Sequence, residues 1–183
     1  DSVSAKVAEA VKKANSKIYE RTITEVDKQG MGTTASVLIL TGSRYLIGQV
    51  GDSRVYLLRD GKLRQLTKDH SYVQEQVDAG LLTPDQARVH PYSNVITRCV
   101  GASGDVVPDI YFGTLEQGDI ILLASDGLTG MIKDEDIEVH VVWLKMMETD
   151  NREAIAGAAT ILHDPRVKHY WDPKRVLNPM LLD

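Results

Sequence analysis

A single cysteine, Cys99, stands in the chain, so no internal disulfide can form and stability must come from burial. A reducing compartment follows, and the expectation is a cytoplasmic protein. No apolar run is long enough to cross a bilayer, and the opening Asp1-Ser2-Val3 carries no secretory signal pattern. Positive charge is the minority: 21 Lys and Arg stand against 26 Asp and Glu, a formal net charge of −5. That balance argues against a nucleic-acid or anionic-membrane surface. There is no Walker-type glycine-rich loop, no Gly-x-Ser-x-Gly elbow and no Cys-x-x-Cys pair. Cys99 also lacks the Cys-x₅-Arg loop of thiol phosphatases and reads as a small buried apolar residue.

What remains is an ordinary globular composition. The chain has 183 residues, 43% hydrophobic and 26% charged, which suits one domain that buries roughly 70% of its unfolded surface. Val3, Val7, Val11, Ala14 and Ile18 recur at three- and four-residue steps, predicting a first helix. After Gly30-Met31-Gly32 the period changes. Ala35 to Leu40 and Tyr45 to Val50 read as strands of one hairpin, Arg54 to Leu58 as a third strand, and Asp60-Gly61 as a tight turn into Leu63 to Leu66. Helices are predicted after Ser71 and after the Thr83-Pro84 cap. Further strands are predicted from Val106 to Phe112 and Ile120 to Ala124, and a helix starting in Lys133 to Ile137. The order suits an α+β sandwich of two antiparallel β-sheets flanked by helices better than a repeating βαβ fold.

Two acidic residues are candidates for chemistry. Asp126 ends the apolar run Ile120-Ile121-Leu122-Leu123-Ala124 and is followed by glycine. A carboxylate at a buried strand end is held at a fixed point, and hard divalent cations such as Mg²⁺ and Mn²⁺ take carboxylate oxygens. Asp52 lies in Val50-Gly51-Asp52-Ser53-Arg54, also at a strand end. From spacing alone, turn-forming Asp-Gly and Gly-Asp-Ser are the more ordinary explanations of both. His70 could be a base or a ligand, although packing beside a helix cap by Asp69 or Ser71 is the blander reading. Arg98 could take a phosphate oxygen in its planar fork, or an ordinary salt bridge. His140, His163 and His169 show no ligand spacing.

Five stretches in order resemble the metal-dependent (PPM, type 2C) serine/threonine protein phosphatases in their compact bacterial form. They are Gly30-Met31-Gly32-Thr33-Thr34, Val50 to Tyr56, Leu66-Thr67-Lys68-Asp69-His70-Ser71, His90-Pro91-Tyr92-Ser93-Asn94-Val95-Ile96-Thr97-Arg98 followed by Val100-Gly101, and Gly118 to Leu128. The resemblance covers residues 1–138. It implies two stacked antiparallel sheets flanked by helices, and a centre of two Mn²⁺ or Mg²⁺ ions, with a third more weakly bound. It implies hydrolysis of phosphoserine and phosphothreonine in a phosphorylated protein substrate by a metal-activated water. By the same resemblance Asp126 binds one paired metal, Asp52 belongs to the third, and His90, Pro91, Ser93 and Asn94 lie in a substrate flap. The family's first strand and its Asp-Gly turn, which supply further ligands, are expected to be missing here. Residues 139–183 are expected to form an atypical segment, within which Asp150 of Asp150-Asn151 is a further metal-ligand candidate. The alternative expectation is a catalytically weak or inactive phosphatase-like scaffold that binds a protein partner.

Overall fold

The computed structural model describes residues 2–131, 133 and 137, together with the backbone of 139–144 and 167–172. Helix α1 (Ser2–Thr24) leads into a short 3-10 turn at Val26–Lys28. Strands β1 (Ala35–Thr41), β2 (Arg44–Val50), β3 (Arg54–Arg59) and β4 (Lys62–Gln65) follow, then helices α2 (Tyr72–Asp78) and α3 (Pro84–Arg88). Strands β5 (Asp109–Thr114) and β6 (Ile120–Ala124) precede the short helix α4 (Asp126–Thr129). Two antiparallel sheets result, ordered β1-β2-β5 and β4-β3-β6. The expected sandwich is the observed one. A third pairing, parallel, joins β7 (Val139–Leu144) to β8 (Val167–Asp172).

The sheets meet through Tyr45 and Ile47 of β2 and Val55 of β3, with Leu38, Tyr111 and Ile121 packed around them. On the other face of β2, α1 brings Val11 against Val50, Val100 and Val106. Strand β2 is therefore covered on both sides, and every residue after Arg44 is buried. Its largely apolar character in sequence, interrupted by Gln49, has this cause. The fit against α1 is close: a Cβ on Gly48 would lie 2.5 Å from Val7 Cγ1. One polar residue shares the helix face, Asn15, and both ends of its amide are satisfied. Its Nδ2 donates to the Ser103 carbonyl at 2.9 Å, and its Oδ1 accepts from Gly101 N–H at 2.7 Å.

Two strand expectations shift. β5 begins at Asp109 rather than Val106, because Val106 is a buried loop residue packed into the α1 core. β6 is only partly buried, and Leu123 is exposed. Of the helix expected to start in Lys133 to Ile137, only Lys133 and Ile137 are described, so it lies outside the described residues.

Candidate active site

The antiparallel register of β3 and β6 pairs Arg54 with Ala124 at the end of the ladder. Asp52 precedes Arg54 by two residues and Asp126 follows Ala124 by two. Chain reversal thus carries both carboxylates off the same end of one sheet, and both line an open cleft of about 630 Å³. Arg88, Ser93, Asn94 and Lys133 line the same cleft.

The Asp52 turn is fastened from several sides. Gly51 has φ +100, open to glycine, and a Cβ there would lie 2.4 Å from Thr34 Cγ2. Gln49, fully buried, donates from Nε2 to the carbonyls of Gly51 at 3.1 Å and Ser53 at 2.5 Å. Its own Oε1 accepts from Ser36 Oγ at 2.6 Å. Ser53 Oγ lies 2.8 Å from Thr34 Oγ1. His70 donates its backbone N–H to the Gly51 carbonyl at 3.0 Å, while its Nδ1 accepts from the Gly51 N–H at 3.0 Å. Burial pushes the Asp52 carboxyl above its ordinary range, a bond to its own backbone opposes this, and the charges of Asp126 and Asp69 add to the rise. That mutual repulsion is what a bound cation would relieve.

Asp126 opens α4 and is exposed. Its carboxylate makes no hydrogen bond or ion pair with any described residue. The expectation of a buried strand tip is corrected here: β6 ends at Ala124 as expected but is only partly buried, and Asp126 begins a four-residue helix. Asp69 also lines the cleft but is committed to Arg54, whose Nη2 and Nε reach it at 2.8 and 3.0 Å. Ser71 caps α2, accepting from Gln74 N–H.

The expected flap residues divide. Ser93 and Asn94 line the cleft, whereas His90 packs its ring against Tyr72 and Tyr92, with centroids 5.9 and 5.6 Å away, and accepts from Tyr92 N–H. Pro91 is exposed between them. Arg98 does not face the cleft. It bonds Asp109 at 2.6 Å and the Val107 carbonyl at 3.1 Å, so the salt-bridge alternative holds. His70 is neither an exposed base nor a cleft residue. It is wired between the Asp52 turn and Asp109. Cys99 is half-buried against Gly32. Asp150 lies outside the described residues.

In kind, Asp52 and Asp126 fit a hard divalent cation. In number they do not complete a site, because no group of three His, Cys, Asp or Glu able to hold a metal occurs among the described residues.

The sequence pattern of the protein phosphatase 2C family matches residues 2–163. The chain belongs to that family. Similar proteins include protein phosphatase PhpP of Streptococcus pneumoniae, 47% identical over 111 residues, which cover 60% of this chain and 44% of PhpP. Serine/threonine protein phosphatase PstP of Mycobacterium tuberculosis is 42% identical over 133 residues, 73% of this chain and 26% of PstP. Among solved structures, serine/threonine phosphatase Stp1 from Staphylococcus aureus superposes with TM-score 0.67 at 34% identity, over 70% of this chain and 50% of that one. The catalytic domain of PstP in complex with two manganese ions superposes with TM-score 0.64 at 40% identity, over 72% and 54%. The chain spans about half the length of the streptococcal relatives it matches. The protein phosphatase 2C match continues past residue 138. No described helix is long and apolar enough to cross a membrane.

Proposed function

We propose that this chain is part of a metal-dependent protein serine/threonine phosphatase, with Asp52 and Asp126 holding divalent cations and Ser93 and Asn94 facing the phosphorylated protein. The observation that carries this reading is the convergence of Asp52 and Asp126 on one cleft from adjacent strand ends. The relatives, named as serine/threonine phosphatases, support the reaction type. The two manganese ions of the PstP catalytic domain support Mn²⁺, with Mg²⁺ as the alternative hard cation. When bound, such ions supply a water acidic enough to be hydroxide near neutral pH and able to attack phosphorus.

The protein's own groups then divide the work. Asp126, exposed and without a side-chain bond among the described residues, can turn toward a cation without breaking any described contact. Asp52 offers a carboxylate whose turn is already fixed, so little ordering is needed on binding. Arg88 and Lys133 add positive charge to the cleft wall, where phosphoryl oxygens carry negative charge. Arg88 Nη1 donates to the Thr129 carbonyl at 3.3 Å, which holds its guanidinium beside α4. The incomplete ligand set among the described residues favours low activity for this chain by itself, as in a phosphatase-like scaffold that binds a partner.

The deciding measurement is hydrolysis of a phosphothreonine peptide with added Mn²⁺ and with chelator. Slow turnover that needs Mn²⁺ and drops at least about tenfold in Asp126→Ala supports the phosphatase reading. A folded chain with no metal-dependent turnover supports the scaffold. Full turnover in chelator would overturn the metal assignment altogether.

A further inference from the structure

His70 is 6% exposed, yet every polar atom it carries is engaged. Nδ1 accepts the Gly51 N–H at 3.0 Å, so the ring proton must reside on Nε2. Nε2 lies 3.1 Å from Asp109 Oδ2 and donates to it. Arg98 Nη1 also approaches Nε2, at 3.1 Å, but a guanidinium only donates, so its hydrogen bonds go to Asp109 Oδ1 and the Val107 carbonyl. Arg98 therefore orients Asp109, Asp109 sets the tautomer of His70, and His70 grips the amide of Gly51. The next residue along is Asp52. The His70 carbonyl accepts from Thr97 N–H at 2.8 Å, three residues beyond the flap residue Asn94.

We propose that His70 is a positioning residue for Asp52: through its Nδ1 it fixes the Gly51 amide and thereby the carboxylate that would meet a divalent cation. This rests on the reading of Asp52 as a metal ligand. The physical basis is the ordinary one for groups that orient metal ligands, whose loss weakens metal binding about 10- to 100-fold while the ligand itself stays in place. Histidine suits the task because its two ring nitrogens act at once, one accepting from the turn and one donating to β5. Asparagine can place its amide oxygen near the Nδ1 position, and glutamine can place its amide near the Nε2 position, but neither does both.

The test uses the full chain and Mn²⁺ alone, titrated by calorimetry or by the electron paramagnetic resonance of free Mn²⁺. His70→Asn, which keeps an acceptor for Gly51 N–H, should bind Mn²⁺ within about threefold of the parent, and His70→Gln should bind at least about tenfold more weakly. Each variant loses one buried hydrogen bond, so their melting temperatures should fall by similar amounts. Equal affinity losses in both variants, or none in either, would overturn the proposal in favour of a purely structural histidine. Asp52→Ala, run alongside, separates the two levels. If it binds Mn²⁺ like the parent, the ligand reading of Asp52 fails and the proposal with it. If it binds weakly while His70→Gln does not, only the role of His70 fails. Should neither histidine variant fold, ¹⁵N NMR of the parent still decides, since a proton on Nδ1 of His70 would contradict the chain of bonds.

Discussion

Asp52 and Asp126 look alike in sequence, each closing an apolar run beside a glycine, yet their supports differ in kind. Asp52 stands in a turn held by Gln49, His70 and the Thr34–Ser53 contact, with partners drawn from the residue before β1, from β2 and from the segment before α2. Asp126 stands at the start of a four-residue helix, exposed, with no side-chain bond among the described residues. The backbone that carries one carboxylate is fixed by bonds on several sides, and the other carboxylate has no such support among the described residues. A site assembled this way combines a fixed reference point with a compliant partner. Burial and negative neighbours raise the carboxyl of the fixed one, the cost of holding a charge in a prearranged place.

The sharpest way to break this contrast is at Gly51. Gly51→Ala puts a Cβ into Thr34 at a φ of +100 and should cost about 3 kcal/mol in urea unfolding. A cost under about 1 kcal/mol would mean that the turn yields easily and is not the rigid half of the pair. Next in size is an effect of acid on the clamp. Burial would raise the Asp109 carboxyl, but hydrogen bonds from Arg98 and His70 outweigh it and hold it below its usual range. A depressed carboxyl adds stability that is fully present above its unfolded value and is lost as pH falls through the lower folded value. The parent should therefore lose stability below about pH 4, the unfolded aspartate range, and Asp109→Asn should lack that part of the slope. Parallel profiles of the two proteins would remove Asp109 from the clamp. Smallest is the structural effect at the adaptable carboxylate. Asp126→Ala should change unfolding free energy by less than about 0.5 kcal/mol, because no described bond is lost. A larger loss would show that Asp126 is as firmly tied as Asp52.

The sheet scaffold was legible because its signals are local. Apolar runs, the Asp60-Gly61 turn and the Thr83-Pro84 cap each act within a few residues, and each appears where the pattern put it. Val106 misled because an apolar residue buried under α1 from a loop looks the same in sequence as the start of a strand. Helix α4 escaped notice because Asp126–Thr129 is about one turn, too short to show a period, with a glycine inside it. Both carboxylates could be picked out as strand-end acids, but their sharing of one sheet end depends on which strands pair. The pairing of Arg54 with Ala124 joins residues 70 positions apart. The clamp was the least visible part. Its bonds reach from residue 49 to 36 and from 70 to 51 and 109, and no local rule announces them. Gln49 was the one available hint: a long polar side chain inside a buried run must find partners, and here it holds the turn.

The β3–β6 ladder also limits how this family member can vary in length. Each residue added to a strand moves its tip about 3.4 Å and turns the following side chain to the opposite face of the sheet. A one-residue insertion in either β3 or β6 would therefore swing one acidic tip away from the other while leaving the hydrophobic count almost unchanged. The far end of the ladder is tied as well, because Arg59 at the end of β3 bonds Asp119 and Glu116 before β6. Length variation should accordingly collect in the Asp60-Gly61 turn rather than in Glu116-Gln117-Gly118.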